Sequence, residues 1–325
     1  MSNVLQTPTV PRLVLARELS RFQYDDPAAR RAVPRGELVR ILRGIYADAA
    51  EWHAATPGER YLAMCRGYAA SRAEPPVLSH ESAAAVWGLP LLGSPPHVVH
   101  VATDERRHGR RASRVRAHLL RLSEDELAWR DGVLVTSLAR TVVDLAASAG
   151  VFTAVAAIDH VLHIDRFGRS RTELSRDALV DALDTAAGLR GAERARVRIA
   201  FGETGAATIA ESASRVTMAH IGAPPPVLQR RYLCESGEYD TDFYFEEADA
   251  IGEVDGKQKY LDPALRGGRS ASEVVYDEKV REDELRMRCR AFGRWSFADA
   301  LRPDLLRPRL VAMGVPVGRP RPRLP

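Results

Sequence analysis

Between Glu238 and Asp255 the chain places eight carboxylates and not one Lys or Arg. The run is patterned. Tyr239 to Phe245 alternates, with Thr241, Phe243 and Phe245 on one side and Asp240, Asp242 and Tyr244 on the other. After a short acidic turn, Glu246 to Asp249, a second strand is expected over Ala250 to Asp255. Strand side chains alternate with a period of two, so Glu253 and Asp255 project together while Val254 projects away. Paired as a hairpin, the two strands bring Asp242 beside Glu253. Like charges that close destabilise a sheet unless a cation lies between them. For carboxylates without histidines the usual cation is a hard divalent ion, Mg²⁺ or Mn²⁺. Asp242, Glu253 and Asp255 are therefore the expected metal ligands, and Glu211, on a helix ahead of the hairpin, is a further candidate.

Only three of the 47 basic side chains are Lys: Lys257, Lys259 and Lys279. All three follow this stretch, within 24 residues of its end. A compact ammonium can shift its pKa or point at a phosphate oxygen in ways a guanidinium cannot. Lys257 is expected to orient a nucleophile or offset phosphate charge, and Lys259 and Lys279 to hold a phosphate backbone.

At 325 residues the chain is long enough for two or three domains. The net charge of +4 is divided unevenly, with +5 on residues 1–200 and −1 on residues 201–325. A modest basic excess agrees with a polyanionic partner. Cys65, Cys234 and Cys289 lack any paired spacing and read as reduced thiols, without a zinc framework. No apolar run approaches membrane-spanning length and no leader pattern opens the chain, so a cytoplasmic protein is expected.

In chain order, helices are expected over Leu13 to Phe22 and Pro27 to Val33. A strand, a tight turn at Arg43-Gly44 and a return strand follow over Glu37 to Ala47. Helices followed by a small hairpin are the pieces of a winged helix. Further helices are expected at 58–71 and from a cap at Ser79 to Gly88. His80 beside Glu81 is read there as capping or packing rather than acid–base chemistry. His97 to Ala102 is a strand. Arg106 to Arg121 then carries seven arginines and no acid, read as a hairpin arm on which Arg106, Arg107, Arg110 and Arg111 contact nucleic acid. Thr136 to Ser148 is an apolar helix with Arg140 and Asp144 paired one turn apart. Helices at 152–162, 175–187 and Ala206 to His220 follow; on the last, Glu211 and Arg215 form a surface pair or serve the acidic hairpin. A long charged helix from Ser272, a closing strand at 293–297, a helix from Leu305 and a basic Pro-rich tail complete the chain. The expected class is α/β (α+β), in four parts: a winged-helix-like 1–75, an α/β middle region 76–200, a domain over 201–312 and a tail 313–325.

Two resemblances carry this further. Over about residues 201–310, Glu211-Ser-Ala-Ser-Arg215, Asp242-Phe243, Glu253-Val-Asp-Gly256 and Glu278-Lys-Val-Arg281 resemble the PD-(D/E)xK nuclease core, in particular domains similar to very-short-patch-repair endonucleases. Two residues after the Glu the general signature has Lys, where this chain has Asp255. Over about residues 10–165, Leu38 to Tyr46, Ser79-His-Glu-Ser-Ala-Ala-Ala85 with Gly88-Leu-Pro90, and Thr136 to Asp144 resemble the abortive-infection type IV antitoxin (AbiEi) family. That family implies a winged-helix DNA-binding autorepressor paired with a nucleotidyltransferase toxin. The nuclease resemblance implies a restriction-endonuclease-like fold over 201–312, a central mixed sheet flanked by helices, and Mg²⁺-dependent hydrolysis of phosphodiesters, in phage defence or DNA repair. In that reading Asp242, Glu253, Asp255, Lys257 and Glu211 carry the chemistry, and Arg215, Lys259, Lys279 and Arg281 bind DNA. The alternative is an antitoxin or autorepressor whose nuclease fold binds DNA without cutting it. A third reading makes the acidic hairpin a solvated edge of a structural partner.

Overall fold

A computed structural model describes residues 10–16, 31–104, 114–186, 188–255 and 271–318. The chain is mixed α/β and divides into two compact units, residues 1–157 with 174–196 and residues 158–173 with 197–325.

In the first unit, β1 (Leu13–Leu15), β2 (Leu38–Leu42) and β3 (Ile45–Asp48) form an antiparallel sheet in the order β1-β3-β2. The Arg43-Gly44 turn lies where its sequence places it, with Gly44 at φ +76°, a backbone conformation that glycine adopts without a steric penalty. The first three residues of the helix expected over Leu13 to Phe22 are instead a strand, Leu13 pairing with Ala47 and Leu15 with Ile45; Ala16 is helical, and residues 17–22 lie outside the described residues. Three apolar side chains in a row suit a strand closing on a ready-made hairpin as well as they suit a helix. α1 (Ala49–Ala54) follows. α2 (Pro57–Ala70) begins with a reciprocal cap, Thr56 Oγ1 accepting from Glu59 N and the Glu59 carboxylate accepting from Thr56 N at 2.7 Å.

Next come α3 (His80–Trp87), β4 (Val99–Thr103), β5 (Val115–Leu119), β6 (Leu127–Arg130), β7 (Val133–Thr136) and α4 (Leu138–Ser148). β4 and β5 run parallel, Val99 opposite Val115, so these two strands are not the arms of a hairpin; residues 105–113 between them lie outside the described residues. Leu78 bridges β4 at Val101 and β7 at Val135, tying the two ribbons together. One continuous core runs through Leu15, Ile41, Ile45, Leu62, Cys65, Leu78, Val99 and Val135. The division expected near residue 75 therefore passes through the middle of a single core. α5 (Val151–Leu162) contains the boundary between the units, and α6 (Arg176–Thr185) packs on α4.

The second unit carries α7 (Ala192–Phe201) from Val197 onward, α8 (Ile209–His220), β8 (Val227–Leu233), β9 (Glu238–Phe245), β10 (Ala250–Asp255), α9 (Ala271–Arg286), β11 (Ala291–Ser296), α10 (Phe297–Ala300) and α11 (Pro303–Ala312). The sheet order is β11-β10-β9-β8, with β10 and β11 parallel and the other pairs antiparallel. This is a mixed sheet with helices on both faces. On one face Phe243 stacks on Trp295, whose indole N–H donates to Ser214 of α8 at 2.9 Å. On the other, Tyr244 and Ile251 pack with Leu285 of α9.

The Trp295 ring lies directly on Gly252, where an added Cβ would come within 2.8 Å of Cζ3. Trp295 is 1% exposed and both its ring and the β10 backbone are fixed by neighbours on each side. Overpacking a core site of this kind costs about 1–3 kcal/mol. Gly252→Ala is expected to lower the unfolding free energy of the second unit by that amount, read in a urea titration as an earlier midpoint with an unchanged slope.

Candidate functional site

The β9–β10 register pairs Ala250 with Phe245, Ile251 with Tyr244 and Gly252 with Phe243. Continued by one residue, it sets Glu253 against Asp242 on the face covered by α9. There the ladder gives way: Val254 N donates to Asp242 Oδ2 at 2.8 Å, a side chain standing in for the backbone acceptor. The proximity of Asp242 and Glu253 expected from the alternation is present.

Two guanidinium groups answer their charge. Arg281 of α9 places Nη2 2.5 Å from Glu253 Oε1 and Nη1 3.2 Å from Oε2. Arg294, opposite Glu253 on β11, places Nη2 2.8 Å from Oε2. Glu278 accepts from both arginines, Glu282 lies 3.2 Å from Arg294, and Asp255 Oδ1 lies 3.7 Å from Arg294 Nε. Burial opposes the charge on Arg281, but Glu253 and Glu278 outweigh it and hold its pKa above the ordinary value. Arg294 is raised further, its burial likewise outweighed by Glu253 and Glu278. Glu253 is 4% exposed and both of its oxygens are engaged by guanidinium groups.

Of the three residues expected to hold Mg²⁺, Glu253 is thus engaged by Arg281 and Arg294, Asp242 accepts from Val254 N, and Asp255 lies nearest Arg294. No group of three or more His, Cys, Asp or Glu is set for an ion among the described residues. Arg281, expected to contact DNA, faces inward to Glu253 and donates to the Asp240 carbonyl at 3.2 Å. Arg294 was not singled out from the sequence. Its signal lies in setting the closing strand beside β10, where Arg294 falls in register with Glu253.

Glu211 is elsewhere. It begins α8 and accepts from Ala207 N at 2.9 Å, the Thr208 hydroxyl at 2.8 Å and the Gln229 amide at 3.0 Å. These interactions finish a helix end and belong to none of the groups around Glu253. Arg215, expected on DNA, is 6% exposed. Its guanidinium lies 2.5 Å from Asp159 Oδ2, donates to the Phe201 carbonyl at 2.6 Å and stacks over the Phe201 ring. A helix face holding Ser, Ala and Arg looks solvated in sequence until the partner 56 residues earlier is known. Lys279 is exposed on α9. Lys257 and Lys259, the four arginines Arg106, Arg107, Arg110 and Arg111, and the tail from residue 319 lie outside the described residues.

The first unit holds a second polar cluster. His80, at the start of α3, is buried with its ring stacked on His118 at 3.7 Å between centroids. His118 Nε2 lies 2.9 Å from His100 Nδ1, and Glu81 Oε2 lies 3.3 Å from the same His100 nitrogen. Asp144 is fully buried. Its Oδ1 accepts from Arg140 at 2.9 Å, which also pairs with Glu126, and its Oδ2 lies 3.9 Å from His80 Nδ1. The packing reading of His80 describes part of this, since the ring is in the interior; no side-chain cap bond forms at Ser79.

A scan against protein-family models returns no match, and a search of curated proteins returns none either.

Two outcomes follow from these contacts. Removing one partner of a buried ion pair strands the other charge, at a cost of about 3–5 kcal/mol. Arg215→Ala is therefore expected to destabilise the second unit by that much in denaturant titration, whereas an exposed DNA-contacting arginine would leave stability unchanged. Burial also pushes His100 and His118 down to about 4 and His80 to about 2, with Arg116 adding to the effect and Glu81 opposing it at His118. The unfolded chain binds protons on these imidazoles near pH 6.5 and the folded chain does not. Stability is then full above pH 6.5 and falls as the pH drops towards 4. After allowing for partial exposure, the loss is about 2 kcal/mol for each of His100 and His118. The buried Asp144, raised by burial, works in the opposite direction over part of that range. Thermal unfolding of the first unit followed from pH 7.5 to 4 checks the sign, and His118→Gln is expected to flatten the slope.

Proposed function

We propose that this chain is a DNA-binding protein whose second unit has a nuclease-type fold that holds its carboxylates closed, so that it binds nucleic acid without cutting it. One observation carries this reading: the buried Glu253 gives both of its oxygens to Arg281 and Arg294. A carboxylate held by two charge-assisted contacts is not offered to an ion without first giving up those partners. The mixed sheet flanked by helices and the resemblance of Asp242-Phe243 and Glu253-Val-Asp-Gly256 to PD-(D/E)xK nucleases support the fold assignment. The three-stranded sheet with α2, and the resemblance to AbiEi antitoxins, support a winged-helix-like DNA-binding role for the first unit, with a nucleotidyltransferase toxin as partner. Exposed arginines would supply salt-sensitive phosphate contacts. No helix among the described residues is long and apolar enough to cross a membrane.

A second reading is a Mg²⁺- or Mn²⁺-dependent endonuclease. It is favoured by the placement of Asp242 beside Glu253 at the point where the β9–β10 ladder opens. One experiment separates the two. Full-length wild type, Asp242→Ala and Glu253→Gln are incubated with single- and double-stranded DNA in Mg²⁺ or Mn²⁺, and affinity is measured across a salt series. The proposal expects no cleavage, and equal, salt-dependent affinity for wild type and Asp242→Ala. Metal-dependent cleavage that disappears in Asp242→Ala would establish the endonuclease instead, and absence of DNA binding at low salt would refute both.

A further inference from the structure

Two arginine-bearing segments of the first unit, far apart in sequence, meet in the fold. Arg114 Nη1 donates to the Ile41 carbonyl at 2.6 Å, a contact between positions 73 residues apart. Arg40 and Arg43 flank Ile41 at the tip of the β2–β3 hairpin, where Gly44 makes the turn. The Arg114 carbonyl accepts from Val99 N at 2.9 Å and leads into β5. Arg116 follows two residues later, so the strand period places its side chain on the same side as that of Arg114. All four arginines are exposed.

These guanidinium groups have no counter-charge. The side chains of Arg40, Arg43 and Arg116 make no hydrogen bond or ion pair among the described residues, and Arg114 is held by a neutral carbonyl. Several other exposed arginines do have a carboxylate: Arg35 pairs with Glu37, Arg169 with Asp165, Arg196 with Asp184 and Arg302 with Asp304. The nearby carboxylates are directed elsewhere. Glu37, just before β2, is taken by Arg35, and Glu81 faces His100, the residue opposite Arg116 in the β4–β5 register. Like charges gathered on one surface repel each other, and a polyanion relieves that repulsion on binding.

We propose that the β2–β3 tip and the start of β5 form one phosphate-binding surface, on which Arg40, Arg43, Arg114 and Arg116 hold the backbone of double-stranded DNA. The proposal rests on the DNA-binding reading above and names the surface that carries it. Two residues apart on an extended strand, Arg114 and Arg116 are separated by about 6.6 Å. Successive phosphates along one strand of a duplex have a similar spacing. A guanidinium presents a planar fork of donors that matches two phosphate oxygens. Arg114 uses one of its five N–H groups on Ile41, which joins strand and hairpin into one surface and leaves donors for a ligand. Tyr46, the ring opposite Arg40, is 7% exposed and is not offered to an unpaired base. The surface therefore suits a backbone, supplying affinity and position more than choice of sequence.

The test measures the affinity of the full-length protein for a duplex oligonucleotide across a salt series. For wild type the logarithm of affinity is expected to fall linearly with the logarithm of salt concentration. Each phosphate contact contributes about 0.9 to that slope. The double variant Arg43→Gln with Arg116→Gln is therefore expected to lose about 1.8 of it, and to bind about 10-fold or more weakly near 0.1 M salt. Neither side chain has a partner in the protein, so its melting temperature is expected to match wild type. Arg114→Gln gives up the Ile41 contact as well and is expected to lose both slope and stability. Arg302→Gln, in the other unit and matched by Asp304, is expected to bind as wild type. A wild type that binds duplex DNA while the double variant keeps its full slope would overturn this surface and leave the DNA-binding reading standing. No binding by wild type at low salt would overturn both. Binding to vesicles of anionic lipid but not to DNA would give the surface to a membrane and overturn the proposal equally.

Discussion

A carboxylate inside a sheet must be neutralised, and in the second unit the neutralising groups are arginines. Glu253 sits between β9 and β11 in a setting where an isolated ionised carboxylate would cost several kcal/mol. Arg281 and Arg294 reach it from a helix and from the neighbouring strand, and Glu278 and Glu282 in turn hold those arginines. The same pairing recurs along the acidic run. Glu238 and Asp240 meet Arg166, and Asp240 also meets Arg231 at 3.0 Å. Asp249 is used differently, accepting from the Tyr244 hydroxyl and from Arg290 N across the turn. A stretch without a single basic residue is thus compensated by basic residues drawn from four other segments. The β10–β11 crossover brings Arg294 to Glu253, so the electrostatics and the topology of the unit are one constraint.

That constraint explains which parts of the chain could be read in advance. The boundaries of β10, the opposite faces of Phe243 and Tyr244, the tight turn at Gly44 and the helix ending at Gly88 all rest on local patterns of two to eight residues. Each survives because tertiary packing agrees with the local preference. The proximity of Asp242 and Glu253 follows from a hairpin register, which is nearly local as well. The identity of their counter-charge does not. Arg294 lies 41 residues beyond Glu253, and only a parallel pairing through α9 brings it alongside. An acidic cluster in a sequence announces a need for positive charge without saying whether a metal or a guanidinium meets it.

Arg215 and Leu13 illustrate two further ways in which sequence reading falls short. On a helix with Glu one turn before it, Arg215 has the spacing of an exposed ion pair, yet Asp159 takes it into the interior and Glu211 turns to the helix end. Both carboxylates are buried, Glu211 at 3% and Asp159 at 0% exposure, and it is Asp159, 56 residues earlier, that lies against the Arg215 guanidinium. Leu13–Leu15 is apolar enough for either a helix or a strand, and the hairpin at Leu38–Asp48 decides the outcome by offering an unpaired edge at Ile45–Ala47. Both cases turn on a partner distant in sequence.

The two polar clusters of the molecule solve the problem of buried charge in contrasting ways. Around Glu253 each oxygen has a guanidinium within hydrogen-bonding distance. In the histidine cluster Arg140 is committed to Asp144 Oδ1 and Glu126, and Glu81 Oε2 and Asp144 Oδ2 are left without a hydrogen-bond partner. A fold that compensates one buried carboxylate so fully has the arginines to compensate the other, with 44 of them in the chain. Imidazoles in that position provide lone pairs where guanidinium would provide only donors. The two clusters therefore differ in the groups that face their carboxylates, guanidinium around Glu253 and imidazole beside Glu81 and Asp144.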